Sequence, residues 1–383
     1  MSYENIIKEN QQWINDTWEK LDEKLSRTSV KSRNKIPYTT KNGEHDTHTD
    51  GADILWWTNG FWGGLMWLMY EGTKKECYKI TAETSEKLMD GCFNYMDKLH
   101  HDVGFMWHIL SGANYRLTGN QDSRNRNLLA AMTLMSRYNV EGNFIRSWNG
   151  KWGGEYNDGW TIIDCMMNIP LLYWESREIG DDRFKSLAIR YADMAMRDHV
   201  RADGSVNHIV VHDTKVADTV IETKGGQGYE VGSSWSRGTA WALYGFILSY
   251  IHTKEQKYLD TAKKVAHYFI ANVANTNWLP LLDFRQPETP AYYDSTAGAI
   301  AACGLIEIAK NCPEFEKDMY LSAAVKMLKA MEKNWCDWTT AEDSILQMGS
   351  EQYVRGVHMP IIYGDYFFTE AILKLKGSEF LPW

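Results

Sequence analysis

Trp160-Thr-Ile-Ile-Asp-Cys-Met-Met-Asn-Ile-Pro-Leu-Leu-Tyr-Trp174 is apolar or aromatic at almost every position. A helix built from it is buried nearly all round rather than along one stripe. The segment that follows, 181–199, is instead amphipathic, the pattern of a helix with one face on a core and the other in water. This pairing of an interior segment with an outer one recurs along the chain. Interior-type segments, each opened by a loop rich in Gly, Asp or Trp, begin near Trp57, Asp102, Gly159, Trp235, Asp294 and Tyr363. Outer-type segments fall near 3–26, 81–99, 122–139, 181–199, 256–274 and 315–334. Six of each predicts about twelve helices in an all-α (α/α)6 barrel, a toroid whose units bury a face only against their neighbours.

The details support the alternation. Ile6, Ile7, Trp13, Ile14, Trp18, Leu21 and Leu25 recur at helical spacing in the first outer segment. Leu88, Met89, Cys92, Phe93, Met96 and Leu99 form the expected buried stripe of the second. Between them, Ile54–Tyr70 is apolar and Gly-rich, so its small residues let helices pack closely. Strand patterning is confined to Val206–His212, expected as a short hairpin before the Trp235 helix, and an α/β fold is rejected. No composition break divides the chain, so 1–383 reads as a single catalytic domain.

Composition narrows the function. A net charge of −9 with no basic stripe argues against nucleic acid, though it leaves room for a small anionic substrate held by one or two local cations. Aromatic residues make up 13% of the chain, which suits both a large core and a cleft that covers sugar rings. The six cysteines form no CxxC pair, so zinc and thioredoxin-type readings fail on spacing, and the expectation is no metal and no cofactor. His45-Asp-Thr-His-Thr-Asp50 closes the polar loop 27–53 and invites a metal reading, but it lacks fixed ligand spacing. With no apolar run long enough for a membrane span, no leader pattern at Met1-Ser-Tyr-Glu and free cysteines, the chain reads as cytoplasmic, a monomer or homodimer.

One acid stands out. Asp164 lies within the apolar run quoted above, where an unpaired charge costs several kcal/mol to bury, so it needs a partner or keeps its proton. A carboxyl with a raised pKa is what a general acid requires at neutral pH; the alternative is a buried structural hydrogen-bond acceptor. Asp102, in His100-His101-Asp102, taken alone reads as a helix N-cap before it reads as a catalytic group, and Asp158 reads as turn and cap chemistry. Arg237, flanked by Trp235 and Trp241, fits a clamp on a substrate carboxylate or a partner of a structural acid. Taken alone, His208 reads as a surface histidine. Trp148 sits in loop sequence, Ser-Trp-Asn-Gly-Lys-Trp-Gly-Gly, and is a better cleft candidate than Trp57 or Trp62, which read as core.

Several runs together resemble one family. They are Trp-Thr-Asn-Gly-Phe-Trp (57–62), His-Asp-Val-Gly-Phe-Met (101–106), Ala-Asn-Tyr-Arg-Leu-Thr-Gly (113–119), Ile-Ile-Asp-Cys-Met-Met-Asn-Ile-Pro-Leu-Leu-Tyr-Trp (162–174), Ser-Trp-Ser-Arg-Gly-Thr-Ala-Trp (234–241) and Ile-Tyr-Gly-Asp-Tyr-Phe-Phe (362–368). In this order they are similar to the unsaturated glucuronyl hydrolases, glycoside hydrolase family 88. The resemblance implies a six-hairpin α/α barrel that removes a 4,5-unsaturated glucuronic acid from the non-reducing end of lyase-generated oligosaccharides, such as chondroitin, hyaluronan or heparin disaccharides.

It further implies Asp164 as general acid/base and Asp102 as its essential partner. His208, Gln227, Arg237, Trp241, Trp148, Trp56 and His101 would line the sugar subsites, and sulfate selectivity would rest on loop residues around Arg355–His358. The implied chemistry is hydration of a vinyl ether, for which the carboxylate-separation rule of inverting and retaining enzymes is the wrong test. The alternatives are an unsaturated rhamnogalacturonyl hydrolase and a non-catalytic sugar-binding toroid. The chain departs from the resemblance at Gly63-Gly64, where Pro-Gly is expected, and at Thr239, where Gln is common; neither change removes a titratable group.

Overall fold

The computed structural model describes residues 3–152 and 154–383. Met1 and Ser2 of the stretch read for a leader, and Gly153 of the Trp148 loop, lie outside the described residues. Among the described residues, twelve α-helices follow in chain order: α1 Tyr3–Lys31, α2 Gly60–Thr73, α3 Glu76–Met89, α4 Ala113–Thr118, α5 Gln121–Ser136, α6 Pro170–Ile179, α7 Asp182–Asp198, α8 Ser236–Thr253, α9 Gln256–Ala274, α10 Ser295–Asn311, α11 Glu314–Trp335 and α12 Ile362–Leu375. A π-helical stretch, Gly104–Gly112, runs directly into α4.

The even-numbered helices form the inner ring. α2 packs on the π-helical stretch before α4, that stretch on α6, α6 on α8, α8 on α10, α10 on α12, and α12 back on α2, which closes the circle. Each odd-numbered helix lies outside its hairpin partner, and α1 seals the seam against α3, α11 and α12. This is the (α/α)6 barrel expected from the alternation. The inner helices are buried along nearly their full length: every residue of α12 from Ile362 to Leu375 is buried, and α8 is buried from Ser236 to Ser249. Close packing has a backbone cause at Gly60, where a Cβ would lie 2.3 Å from the Phe105 carbonyl oxygen. Only glycine lets the first inner helix approach the second this tightly.

Four expectations are corrected. The stretch Trp160–Trp174 is not one helix: Trp160–Ile162 is a strand, Ile163–Met167 a 3-10 turn, and α6 starts only at Pro170. The β-branched Thr161-Ile162-Ile163 favours the extended state, and Pro170 occupies the first helical turn, where its missing N–H costs nothing. The strand pairs antiparallel with Ile209–His212, which pairs in turn with Val220–Lys224. The anticipated strand is therefore shorter than Val206–His212 and is the middle of three. The second outer helix spans Glu76–Met89, and Asp90–Lys98 continues it as 3-10 helix, so that Met96 is exposed. Finally, α1 extends to Lys31, and the loop after it is pinned: His45 is buried with Nδ1 3.0 Å from Ser32 Oγ, and Asp46 accepts from the Tyr38 and Thr39 amides.

Candidate active site

The loops into the inner helices converge at one end of the ring. Asp102 stands just before the π-helical stretch and does not cap it; its side chain turns inward. His100 Nδ1 lies 3.2 Å from Oδ2, His101 Nε2 3.1 Å from Oδ1, and the Asn168 amide donates to Oδ1 at 3.3 Å. Burial acts to raise this carboxyl, but the two imidazoles and Asn168 outweigh it and hold Asp102 below the usual carboxylate range.

Asn168 is placed by Gly104. A Cβ there would lie 2.7 Å from both Asn168 Cα and Oδ1, so glycine admits the side chain, which accepts from the Phe105 amide at 2.8 Å. Its Nδ2 also reaches the main-chain oxygen of Asp164 at 3.4 Å, joining the segments that carry the two acids.

Asp164 sits in the 3-10 turn, 8% exposed, and its Oδ1 is buried without a hydrogen-bond partner. Burial first and the Asp102 charge second push its pKa up to about 8, against the pull of Arg237. At neutral pH it is a carboxylic acid with a free face.

His208 is not a surface residue. It is buried against Trp235, ring centroids 4.2 Å apart, because the hairpin beginning at Ile209 folds back over the site. Its Nδ1 accepts from the Gln227 amide at 3.0 Å, which places the ring proton on Nε2, 3.7 Å from Asp164 Oδ1. Burial and the Arg237 charge push its pKa down to about 3, so the ring is neutral. The Gln227 side chain donates to the Glu351 carbonyl at 2.7 Å.

Arg237 is buried and engaged. It pairs with Asp294 at 2.5 Å, donates to the Glu351 carbonyl at 2.6 Å and to the Ser350 carbonyl, and lies over Trp235. The arginine is thus paired with a buried acid, and it anchors the loop 349–359 containing Arg355–His358, whose ends are joined by the Gly349–Met359 bridge. Trp241 is fully buried in the aromatic floor with Phe105 and Phe367, and Trp62 is core as expected. Trp57 is partly buried above the same floor, against Tyr363.

The rim carries the remaining candidates. Trp148 is half-buried, edge-on to His101 at 5.6 Å. Trp56 is 40% exposed, edge-on to Tyr38, whose hydroxyl donates to Glu351 Oε1 at 2.6 Å. Asp158 is exposed and pairs with Arg146, as turn chemistry predicts.

Sequence reading missed Asn168 and Glu351. Asn168 had a signal, a second polar side chain four residues after Asp164 in an apolar run; Glu351 had none. Among the described residues, His100, His101 and Asp102 are the group whose ligand atoms, all within 4.8 Å of one another, could hold a metal ion. Both oxygens of Asp102 already face imidazole nitrogens there.

A closed helical ring with two buried acids at an aromatic-rimmed mouth defines a glycosidase of the α/α-barrel class. The chain belongs to Glycosyl Hydrolase Family 88, whose model it matches over residues 28–367. It is 33% identical to the unsaturated glucuronyl hydrolase of Bacillus sp. (strain GL1) over 361 residues, 92% of this chain and 93% of that one. It is also 33% identical to the unsaturated chondroitin disaccharide hydrolase of Streptococcus pyogenes serotype M1 over 326 residues, 83% of this chain and 80% of that one. The crystal structure of the Bacillus sp. GL1 enzyme, described as responsible for the degradation of glycosaminoglycan, superposes with a TM-score of 0.86, 31% identity and coverage of 94% and 97%.

Proposed function

We propose that this glycoside hydrolase removes a 4,5-unsaturated glucuronic acid from the non-reducing end of glycosaminoglycan oligosaccharides by hydrating the C4=C5 vinyl ether, with Asp164 as general acid and then base. The observation that carries the reading is the buried carboxyl of Asp164, one oxygen without a hydrogen bond, whose pKa burial and the Asp102 charge push up to about 8 while Asp102 is held below the usual carboxylate range. An acid that gives up a proton and then takes one from water needs a pKa near the working pH.

Asp164 protonates C4, and positive charge develops at C5, where the ring oxygen shares it. Water adds at C5 and returns its proton to Asp164. The C5 hemiketal opens to a ketone, leaving a hemiacetal at C1 that expels the aglycone. Asp102 has two tasks: its charge keeps Asp164 protonated beforehand, and it stabilises the cation once formed. The neutral Nε2–H of His208 is placed to donate to the Asp164 carboxylate after proton transfer. Trp148, Trp56, Gln227 and His101 face the sugar, whereas Arg237 and Trp241 act from below by holding the loop and the floor.

Incubation with unsaturated chondroitin or hyaluronan disaccharide should bleach the absorbance of the conjugated alkene. No loss with any unsaturated glucuronyl disaccharide would overturn the proposal, and turnover of unsaturated galacturonyl-rhamnose alone would move it to the rhamnogalacturonan reading. We further propose that the chain works as one catalytic domain over 1–383, in the cytoplasm, as a monomer or homodimer. One continuous core and six free cysteines support this. Recovery of the protein outside the cell, or a larger assembly on gel filtration, would count against it.

A further inference from the structure

Beyond Trp148 the rim continues in a feature that neither catalysis nor folding explains. Lys151–Trp152 and Glu155–Tyr156 are two short paired strands, too small to hold a core of their own. They nevertheless present two large aromatics to solvent, Trp152 at 43% and Tyr156 at 69% exposure. The two point to opposite faces of the ribbon, since Tyr156 pairs with Lys151 and Trp152 with Glu155; the Lys151 ammonium lies over the Tyr156 ring at 4.4 Å, so the exposed face of Trp152 is the one that calls for a cover.

They are also held in place. Lys224, on the neighbouring three-stranded sheet, reaches Glu155 at 2.8 Å and Glu222 at 2.8 Å while lying over the Trp160 ring. Trp152 rests edge-on against buried Trp160 at 5.6 Å and lies 5.6 Å from Trp148 at a shallow 31° tilt. Trp148 in turn is 5.6 Å from His101, which touches Asp102. An aromatic track thus leads outward from the acids in steps close to the length of one sugar unit.

We infer that the exposed face of Trp152 forms a distal subsite that binds sugar units on the reducing side of the first aglycone residue, so that the enzyme acts on oligosaccharides longer than a disaccharide. The occupant is the same chain whose unsaturated end lies over Asp164: a pyranose covers an aromatic ring with its apolar face, and the continuity of the track with the cleft selects this ligand over an unrelated one. The inference rests on the glucuronyl hydrolase reading and deepens it.

The test compares kcat/KM on the unsaturated hyaluronan tetrasaccharide and disaccharide. Trp152→Ala should lower the tetrasaccharide value about three- to tenfold, as the loss of one ring-stacking contact predicts. It should leave the disaccharide value within about twofold, and Trp152→Phe should restore most of the difference. Trp152→Leu, which keeps an apolar side chain against Trp160, should give a similar loss of the same selectivity and keeps the test decisive if the alanine variant fails to fold, whereas Tyr156→Ala, on the opposite face, should leave the ratio unchanged. An unchanged tetrasaccharide-to-disaccharide ratio in the Trp152→Ala and Trp152→Leu variants would overturn the inference while leaving the activity intact. Absence of turnover on both substrates by the native enzyme would instead overturn the function on which it rests.

Discussion

Two pairs of buried carboxylates lie at opposite ends of the barrel. At the mouth, Asp102 and Asp164 share no cation, and one oxygen of Asp164 is left without a hydrogen bond. About 20 Å away along α10, counting from Asp294 at its start, Glu307 lies beside Glu370 of α12, and Lys374 sits between them. The lysine contacts Glu307 at 2.6 Å and Glu370 at 3.4 Å, Trp383 Nε1 donates to Glu370 at 3.0 Å, and Tyr244 donates to the same carboxyl. At this lower cluster, where the acids hold two inner helices together, the fold supplies a counter-charge and closes the hydrogen bonds. At the mouth it withholds the counter-charge, and the result is a proton kept where a reaction needs one.

The comparison is broken most directly at Asp164. Asp164→Asn should lower turnover in the alkene assay by about a thousandfold or more, the scale of a lost general acid, with an unchanged circular dichroism spectrum. Its stability should move the other way. Because the folded pKa of Asp164 is raised from 3.8 to about 8, protonation favours the folded state at low pH, and this contribution is lost as pH rises toward 8. The asparagine variant lacks that penalty. Urea melts should therefore show similar stability for the two proteins below pH 4 and a variant more stable by on the order of a few kcal/mol near pH 8. A variant destabilised at every pH would mean that Asp164 is a structural acceptor.

Lys374→Met should do the reverse. It strands Glu307 and Glu370 in the core, and the expected cost is about 3–5 kcal/mol in urea or thermal unfolding. Turnover per folded molecule should stay near the native value at a temperature where the variant is folded. If stability hardly changes, the lower cluster is not the closed structural pair that its geometry indicates.

Asp102→Asn sharpens the electrostatic half of the contrast. Activity depends on a protonated Asp164, so it should fall as pH rises through about 8. Removing the Asp102 charge removes the second cause of that raised pKa, so the alkaline limb should move toward lower pH by about one unit. A limb that stays in place would show that burial alone keeps the proton on Asp164.

How much of this was legible in the sequence follows from where each force acts. The barrel was, because each inner segment announces itself by being apolar all round and each outer one by a single stripe, and both signals are local. The strand at Trp160–Ile162 was not, because its pairing partner, Ile209–His212, lies some fifty residues away and only the fold brings them together. Pro170 did mark where α6 begins. Asp164 was legible as a misplaced charge, and Asn168 carried the same kind of signal four residues on. The commitment of Arg237 to Asp294 was invisible, since nothing local tells an arginine aimed at substrate from one engaged by a buried acid 57 residues further along. His208 was misjudged for the same reason: its burial is made by Trp235 and the fold-back of its hairpin.

The smallest expected effect lies at the rim, where the contrast between structure and function is most easily blurred. Trp56 has an exposed face, and its contact with Tyr38 is only edge-on. Trp56→Ala removes little buried area, so it should cost at most about 1 kcal/mol of stability, within the range of surface substitutions. If the ring covers the substrate, the variant should raise KM by about three- to tenfold and leave kcat within about twofold, the signature of binding lost equally from ground and transition states. A fall in kcat at unchanged KM would show instead that Trp56 acts through Tyr38 and Glu351 on the loop that Arg237 and Gln227 hold. That outcome would move Trp56 from the sugar-facing surface to the supporting frame, on the same side of the comparison as Trp241.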